Sequence, residues 1–457
     1  MFKAGFSRVD ITPRVGVELY GFGPYRHRYS IGIRDILEAR AAAFSQDGKS
    51  VVIVTNDLCT IDVEIVADAR RIVRERHPEL SDADIMVEAS HTHSGPSTSI
   101  NGHGWGEIDE PYLRILPHRI AKAACEALDA LEEVNVSQAE VPCRHIGLNR
   151  VRDVDSPPLE DVLKEDWEPA KPELTDTTCR VIRFDDAKGN LKGFMAYFGC
   201  HPVVCCEQSR YIHGDYPGVA LHNLMREMPG SIGLFLQGAE GDVNAGCVHK
   251  PEQESLLALD VFAARFANAV RHGLQAAKPI EMDVIRSVSK VFRFATRAVF
   301  TPELLSKLKS QYEKPFEDPM LSDNSFEARM NTVFLNGIER IEKAFKEGKD
   351  KYVEAELQAI KVGPLEFLGA PFEVMQAIKN DIHASVKATY PMLMSLTNGR
   401  FGYAPSQDLL DMATVDKGAG GGYESTRVPL INGILPYGDI HHELVQYMTE
   451  LDAILNP

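Results

Sequence analysis

Along the first hundred residues the apolar positions come as a continuous run, then at helical spacing, then as a run again. "KSVVIVTNDLC" (49–59) sets valine and isoleucine side by side, which predicts a buried strand opening into a polar loop at Asn56-Asp57. "VEIVADARRIVRERHPEL" follows, with Ile65, Ala69, Ile72 and Val73 on one face of a helix. "ADIMVEAS" is a second strand. Strand, helix, strand with short links predicts a βαβ unit and a parallel pair. In such sheets ligands gather beyond the carboxyl ends of the strands, and "HTHSGP" stands at one of them.

The same reading continues downstream. "CRVIRFDDAKGNLKGFMAYFGCHP" (179–202) predicts a hairpin whose second strand runs into Cys200-His201-Pro202. "SIGLFLQGAEGDVNAG" (231–246) is an apolar strand breaking into a Gly/Asp/Asn loop. "GPLEFLGAPFEVMQAIKNDI" (363–382) reads as a strand, a turn at 369–371 and a helix beginning near Glu373. "LTNGRFGYAPS" (396–406) closes a late strand onto Tyr403. Strand ends therefore deliver His91, His93, His201, Asn244, Glu373 and Tyr403. A Pro/Glu/Asp-rich stretch at 156–175 and a helical, charged insertion at roughly 301–350 read as excursions from one α/β domain spanning 1–457.

Composition narrows the function classes. The chain has 457 residues, 44% apolar and 25% charged, enough for a sizeable core. Its 49 Lys and Arg against 66 Asp and Glu give −17, which argues against nucleic acid or an anionic membrane surface as partner. No run of eighteen apolar residues is present, and "MFKAGFSRVDITP" lacks the features of a signal peptide. The eight cysteines form no CxxC pair, so reduced, mostly buried thiols in a cytoplasmic protein are expected. A small-molecule substrate is the expected partner, and the composition is compatible with a homo-oligomer.

Histidine is the commonest ligand of catalytic zinc, which typically takes three protein ligands. Residues i and i+2 of an extended segment point the same way, so His91 and His93 are expected to converge on one pocket. His201 and Glu373 would complete a two-histidine, one-carboxylate set. Each has a plainer alternative: a hydrogen-bonded core histidine for His201, and for Glu373 a carboxylate favoured by a helix N-terminus. "GGGYESTR" (420–427) presents Tyr423 to a substrate or forms a surface loop, and "HIGLNRVR" (145–152) offers Arg150 or a solvated charge. His213 and Asp215 in "YIHGDYPG" suit support from behind the ligands. Cys205-Cys206 has no partner suggesting thiol catalysis. There is no G-x-S-x-G, P-loop or G-x-G-x-x-G.

Read together and in order, these segments resemble the N-terminal catalytic domain of the neutral/alkaline non-lysosomal ceramidases. "AGFSRVDITPRVGVELYGFG", "SHTHSGP", "CHP", "GPLEFLGAPFE", "FGYAPS" and "GYEST" carry the resemblance. It implies packed mixed β-sheets flanked by helices and a zinc ion. It also implies that His91, His201, Glu373 and Tyr403 are the metal ligands, that His93 transfers protons, and that Tyr423 and Arg150 polarise the scissile carbonyl. Asn244 stands where the family places a serine and Phe372 where it usually has glycine. The chain is expected to be a shortened member, without the family's secretion signal and additional C-terminal domain. The reading is a zinc-dependent hydrolase cleaving an amide (N-acyl) or related acyl bond by a metal-activated water, with Asn244 holding substrate or oxyanion. Its alternatives are a hydrolase of a small polar cyclic amide, ester, lactone or sugar-derived substrate, and a metal-binding homologue without catalysis.

Overall fold

The valine-rich run near residue 50 is apolar at every position because the strand it forms is covered on both faces. The structure, a computed structural model, describes residues 1–23, 27–100, 105–297, 299–349, 351–412 and 422–457. In strand Lys49–Asn56, Val51 and Ile53 enter a core shared between sheets, whereas Val52 and Val54 enter one shared with helices. Successive side chains of a strand point to opposite faces, so burial of both removes the usual alternation. Each aliphatic side chain fully buried in this way contributes about 1.5–3 kcal/mol relative to exposure.

Three mixed sheets share that inter-sheet core. In spatial order the first holds Ile85–Ala89, Lys49–Asn56, Glu38–Gln46, Lys3–Asp10 and Glu132–Glu133. The second holds Ile232–Gln237, Leu191–Phe198, Thr178–Asp185, Asn135–Pro142 and Lys278–Pro279. The third holds Ile285–Ala295, Tyr352–Val362, Leu365–Gly369 and Tyr390–Met394. Met86, Met195, Leu236 and Phe367 meet between them. Helices cover the outer faces: Val63–Arg76 and Glu110–Asp129 on the first, Asp215–Glu227 and Glu252–Ala276 on the second, Gln376–Ser385 and Ile440–Leu455 on the third. This is the mixed α/β architecture that the pattern and the family resemblance imply. All eight cysteines are buried free thiols. Among the described residues no helix is long and apolar enough to cross a membrane.

Each of these sheets has a parallel pair: Lys49–Asn56 with Ile85–Ala89, Leu191–Phe198 with Ile232–Gln237, and Leu365–Gly369 with Tyr390–Met394. The first is the expected βαβ unit. The segments leaving their carboxyl ends carry His91, His201, Asn244, Glu373 and Tyr403, which is how three sheets come to serve one site.

Two local expectations need correction. The helix after the 369–371 turn begins at Gln376, not near Glu373. Glu373 and Val374 are instead a short strand paired in parallel with Tyr403–Ala404, and the Glu373 amide donates to the Gly402 carbonyl at 3.0 Å. Sheet pairing captures the residues that would have formed the first helical turn, and extended Met375 becomes the N-cap. For the same reason Tyr403 does not end the late strand, which closes at Met394, but lies on this separate pair.

The 301–350 insertion is helical as expected, comprising Pro302–Glu313 and Phe326–Glu347. The hydroxyls of Thr301 and Ser325 cap the two helices by accepting from the Leu304 and Ala328 amides. Met330, Val333, Phe334 and Ile338 pack on Leu430 and Ile431 of helix Val428–Asn432.

Candidate active site and metal centre

Strand Ile85–Ala89 ends where the Ser90 amide donates to the Asn56 carbonyl at 2.9 Å. His91 then takes left-handed backbone, φ 69°, with its amide donating to the Leu58 carbonyl at 2.8 Å. The extended path expected for 91–93 is therefore broken at its first residue. The rings still converge, 4.7 Å between centroids at 84°. His91 Nδ1 lies 2.8 Å from the Cys59 carbonyl, so this nitrogen carries a hydrogen and Nε2 is the atom left to face Glu373. His201 is oriented in the same manner, with Nδ1 2.5 Å from the Glu240 carbonyl. A backbone bridge ties His201 to Asn244.

The two freed Nε2 atoms face one carboxylate oxygen. Glu373 Oε2 lies 3.4 Å from His91 Nε2 and 3.4 Å from His201 Nε2. All three side chains are buried, and among the described residues neither His201 Nε2 nor Glu373 Oε2 has a hydrogen-bond partner. A tetrahedral ion with bonds of ~2.1 Å separates its ligand atoms by about 3.4 Å, so the set fits zinc in donor type, spacing and unmet valence. Tyr403, the register partner of Glu373, brings a buried phenol to the same place.

Burial opposes charge throughout the site, and local partners decide the outcome. Burial works against charge on His91, but Cys59 and Glu373 outweigh it and raise its pKa well above the ordinary value. Burial brings His201 down to about 4 despite Glu373. Burial, then His91 and His201, hold His93 well below its usual range. Burial would raise Glu373, yet His91 and His201 keep it well below the usual carboxylate range. His93, whose Nε2 is 3.2 Å from His91 Nε2, is thus a neutral imidazole beside the ligand set.

The remaining predicted residues form a brace around Arg150. Its guanidinium donates to Glu424 Oε1 at 2.9 Å, to the Gly241 carbonyl at 2.9 Å and to Asn244 Oδ1 at 3.3 Å. It lies 5.4 Å from the Tyr403 ring centroid and 6.0 Å from that of Tyr423. Arg150 is therefore no solvated charge. The Asn244 NH₂ contacts Asp155 Oδ1 at 3.4 Å, so both ends of the amide are engaged. Tyr423, 41% exposed, begins the described segment after Gly422, and the earlier glycines of "GGGYESTR" lie outside the described residues. His213 stays behind the site, its carbonyl accepting from Thr92 Oγ1 at 2.9 Å, while Asp215 accepts from the Val204 and Cys205 amides.

Several participants escape sequence reasoning. Glu424, Asp155, Glu240 and Cys59 carry no spacing that distinguishes them from other polar or small residues. Two glycines are clearer in hindsight. A Cβ on Gly21 would come within 2.4 Å of the His93 ring, and one on Gly241 within 2.6 Å of the Glu373 carbonyl. The glycine turn in "ELYGFG" and the glycine after Glu240 are thus demanded by close packing on site residues. The whole opens into a cavity of about 520 Å³ with His93, His201, Tyr403, Tyr423, Arg150 and Asn244 in its walls.

Comparison with known proteins agrees with this architecture. Residues 2–249 match the sequence model of the family described as neutral/alkaline non-lysosomal ceramidase, N-terminal. Neutral ceramidase A of Dictyostelium discoideum is 25% identical over 263 residues, covering 53% of this chain and 36% of that protein. Neutral ceramidase of Pseudomonas aeruginosa is 23% identical over 333 residues, covering 66% and 46%. The chain thus spans less than half the length of these curated relatives. The crystal structure of neutral ceramidase from Pseudomonas aeruginosa superposes with a TM-score of 0.74 at 17% identity, over 99% of this chain and 74% of that one. A structure titled ceramidase complexed with C2 gives 0.74 at 16% identity, over 100% and 75%. These superpositions show the shared fold.

Proposed function

The chain belongs to the neutral/alkaline non-lysosomal ceramidase family, and on that premise we propose that it is a zinc-dependent hydrolase of an N-acyl amide bond. The observation that carries the reading is the approach of His91 Nε2 and His201 Nε2 to Glu373 Oε2, 3.4 Å in each case. These three side chains, with Tyr403 as fourth, would hold the ion. Bound zinc supplies Lewis-acid polarisation of the carbonyl and lowers the pKa of water. His93, neutral in its buried position, takes the attacking water's proton and passes one to the leaving amine. The Tyr423 hydroxyl donates to the carbonyl oxygen as charge develops there, an effect worth about 3–4 kcal/mol for a well-placed donor. Arg150 holds Tyr403, Asn244 and Glu424 in register and adds its positive field. Asn244, fixed between Arg150 and Asp155, orients the substrate. With water as nucleophile, asparagine at the family's serine position is compatible with turnover.

The acidic balance of the chain and the size of the cavity, typical of a drug-sized ligand site, favour short soluble acyl amides over long-chain ceramide. Metal content and amide hydrolysis measured on the same preparations test the assignment. Replacing His91, His201 or Glu373 by alanine should strip most of the zinc. His93→Ala should keep the zinc and lose turnover by roughly a hundredfold or more. Full zinc in the His201 variant would sink the site. Equal zinc loss in the His93 variant would exchange the ligand and proton-transfer assignments.

A further inference from the structure

Resting on the amide-hydrolase reading, we infer that the pocket sorts the two halves of its substrate: a short acyl group lies on an apolar wall where the helical insertion meets helix Val428–Asn432, and the leaving amine is a polyhydroxylated ring, as in an amino sugar, held by Asp155, Glu207 and His249. The apolar wall is continuous with the protein's interior. Trp105, Met330 and Ile431 line the cavity and belong to the buried cluster that joins the insertion to helix Val428–Asn432. Apolar groups at these positions leave a carbonyl substituent without polar partners, which suits a hydrocarbon chain.

The polar wall differs in kind. His249 Nδ1 lies 3.1 Å from Glu207 Oε2, and Asp155 lies beside Asn244 at 3.4 Å. Phe22 joins this wall to the proposed proton-transfer residue, with its ring 6.3 Å from His249 and 4.9 Å from His93. A compact ring resting on Phe22 would therefore present its amide nitrogen near His93. Carboxylate oxygens and an imidazole are acceptors and donors for hydroxyl groups. They also suit an ammonium, but the nitrogen of an amide substrate carries no charge, so what the leaving half offers this wall is hydroxyl groups.

The test uses two probes of matched ring size, N-butyrylglucosamine and N-butyrylcyclohexylamine, on the zinc-loaded full chain. The hydroxylated probe should give at least a tenfold higher kcat/KM, because a site that pairs substrate hydroxyls discriminates against analogues lacking them. Glu207→Gln should shrink that ratio about tenfold, and Met330→Trp should penalise N-octanoylglucosamine more than N-acetylglucosamine. Equal rates for the two rings, or a ratio unmoved in Glu207→Gln, would overturn the proposal while leaving amide hydrolysis intact. Failure to cleave either amide would instead count against the amide-hydrolase reading. Calorimetric binding of glucosamine against cyclohexylamine then decides the wall alone: preference for glucosamine supports it, and equal or reversed affinity overturns it.

Discussion

His91 occupies a backbone region that costs a non-glycine residue about 1–2 kcal/mol, and its surroundings show why the cost is accepted. Left-handed backbone at this point turns the chain sharply after the strand and directs the ring to the Cys59 carbonyl. The residue types of the site were legible because each stands just beyond a strand: His91, His93, His201 and Glu373. The φ of His91 was not, since it is imposed by Leu58 and Cys59, which arrive from another loop. The brace of Glu424 and Asp155 was equally hidden, because distant polar residues leave no periodic mark. Asn244 offers the sharpest test at this scale. Removing its amide frees Arg150 from one partner and, on the proposed role, substrate from one contact, so Asn244→Ala should lower kcat/KM roughly tenfold to a thousandfold. Rapid-quench kinetics should show no acyl-enzyme burst, and exhaustive chelation should abolish turnover. A trapped acyl-enzyme, or full activity after chelation, would falsify attack by water.

At the scale of elements, the continuous apolar runs and the βαβ spacing located the first parallel pair, Lys49–Asn56 with Ile85–Ala89, correctly. The misplaced start of helix Gln376–Ser385 has a physical source. "FEVMQAIKNDI" has helical character throughout, and the partner strand Tyr403–Ala404, thirty residues on, holds Glu373 extended. Local pattern does not record a tertiary partner. The insertion raises a related point. In helix Phe326–Glu347 glycine at 337 is locally unfavourable, and alanine in an exposed helix would gain about 1 kcal/mol. Here a Cβ would sit 1.8 Å from the Leu430 carbonyl. Gly337→Ala is therefore expected to destabilise by about 2 kcal/mol through overpacking. It should also displace the segment that leads from Tyr423 into helix Val428–Asn432, lowering turnover with zinc content retained. Thermal unfolding, metal analysis and kinetics on one preparation check this, and a Tm at or above the parent value would refute it.

For the molecule as a whole, the last helix, Ile440–Leu455, closes the third sheet and does so with a titratable latch. Glu366, on the strand that leads toward Glu373, is 1% exposed and accepts from Asn456 Nδ2 at 2.8 Å. Burial raises its pKa to about 7, with Asp452 adding to the rise and Asn456 and Lys361 opposing it. The sign follows from the proton count. Between its ordinary 4.5 and about 7 the folded protein keeps a proton on Glu366 that the unfolded chain gives up, so stability falls as pH rises through this window. The contribution is fully present below 4.5 and gone above about 7. At about 1.4 kcal/mol per unit, the loss is of order 3 kcal/mol. Glu366→Gln keeps a neutral group of the same shape and should remove that decline. Urea unfolding at several pH values between 4 and 8 gives the comparison, because all other groups titrate alike in parent and variant. Parallel curves for the two proteins would assign the pH dependence elsewhere. A widening advantage of the glutamine variant toward neutral pH would place it at this latch. The strand carrying Glu366 also runs toward the proposed metal set, so the same substitution should slow release of the proposed zinc at pH 7 relative to the parent.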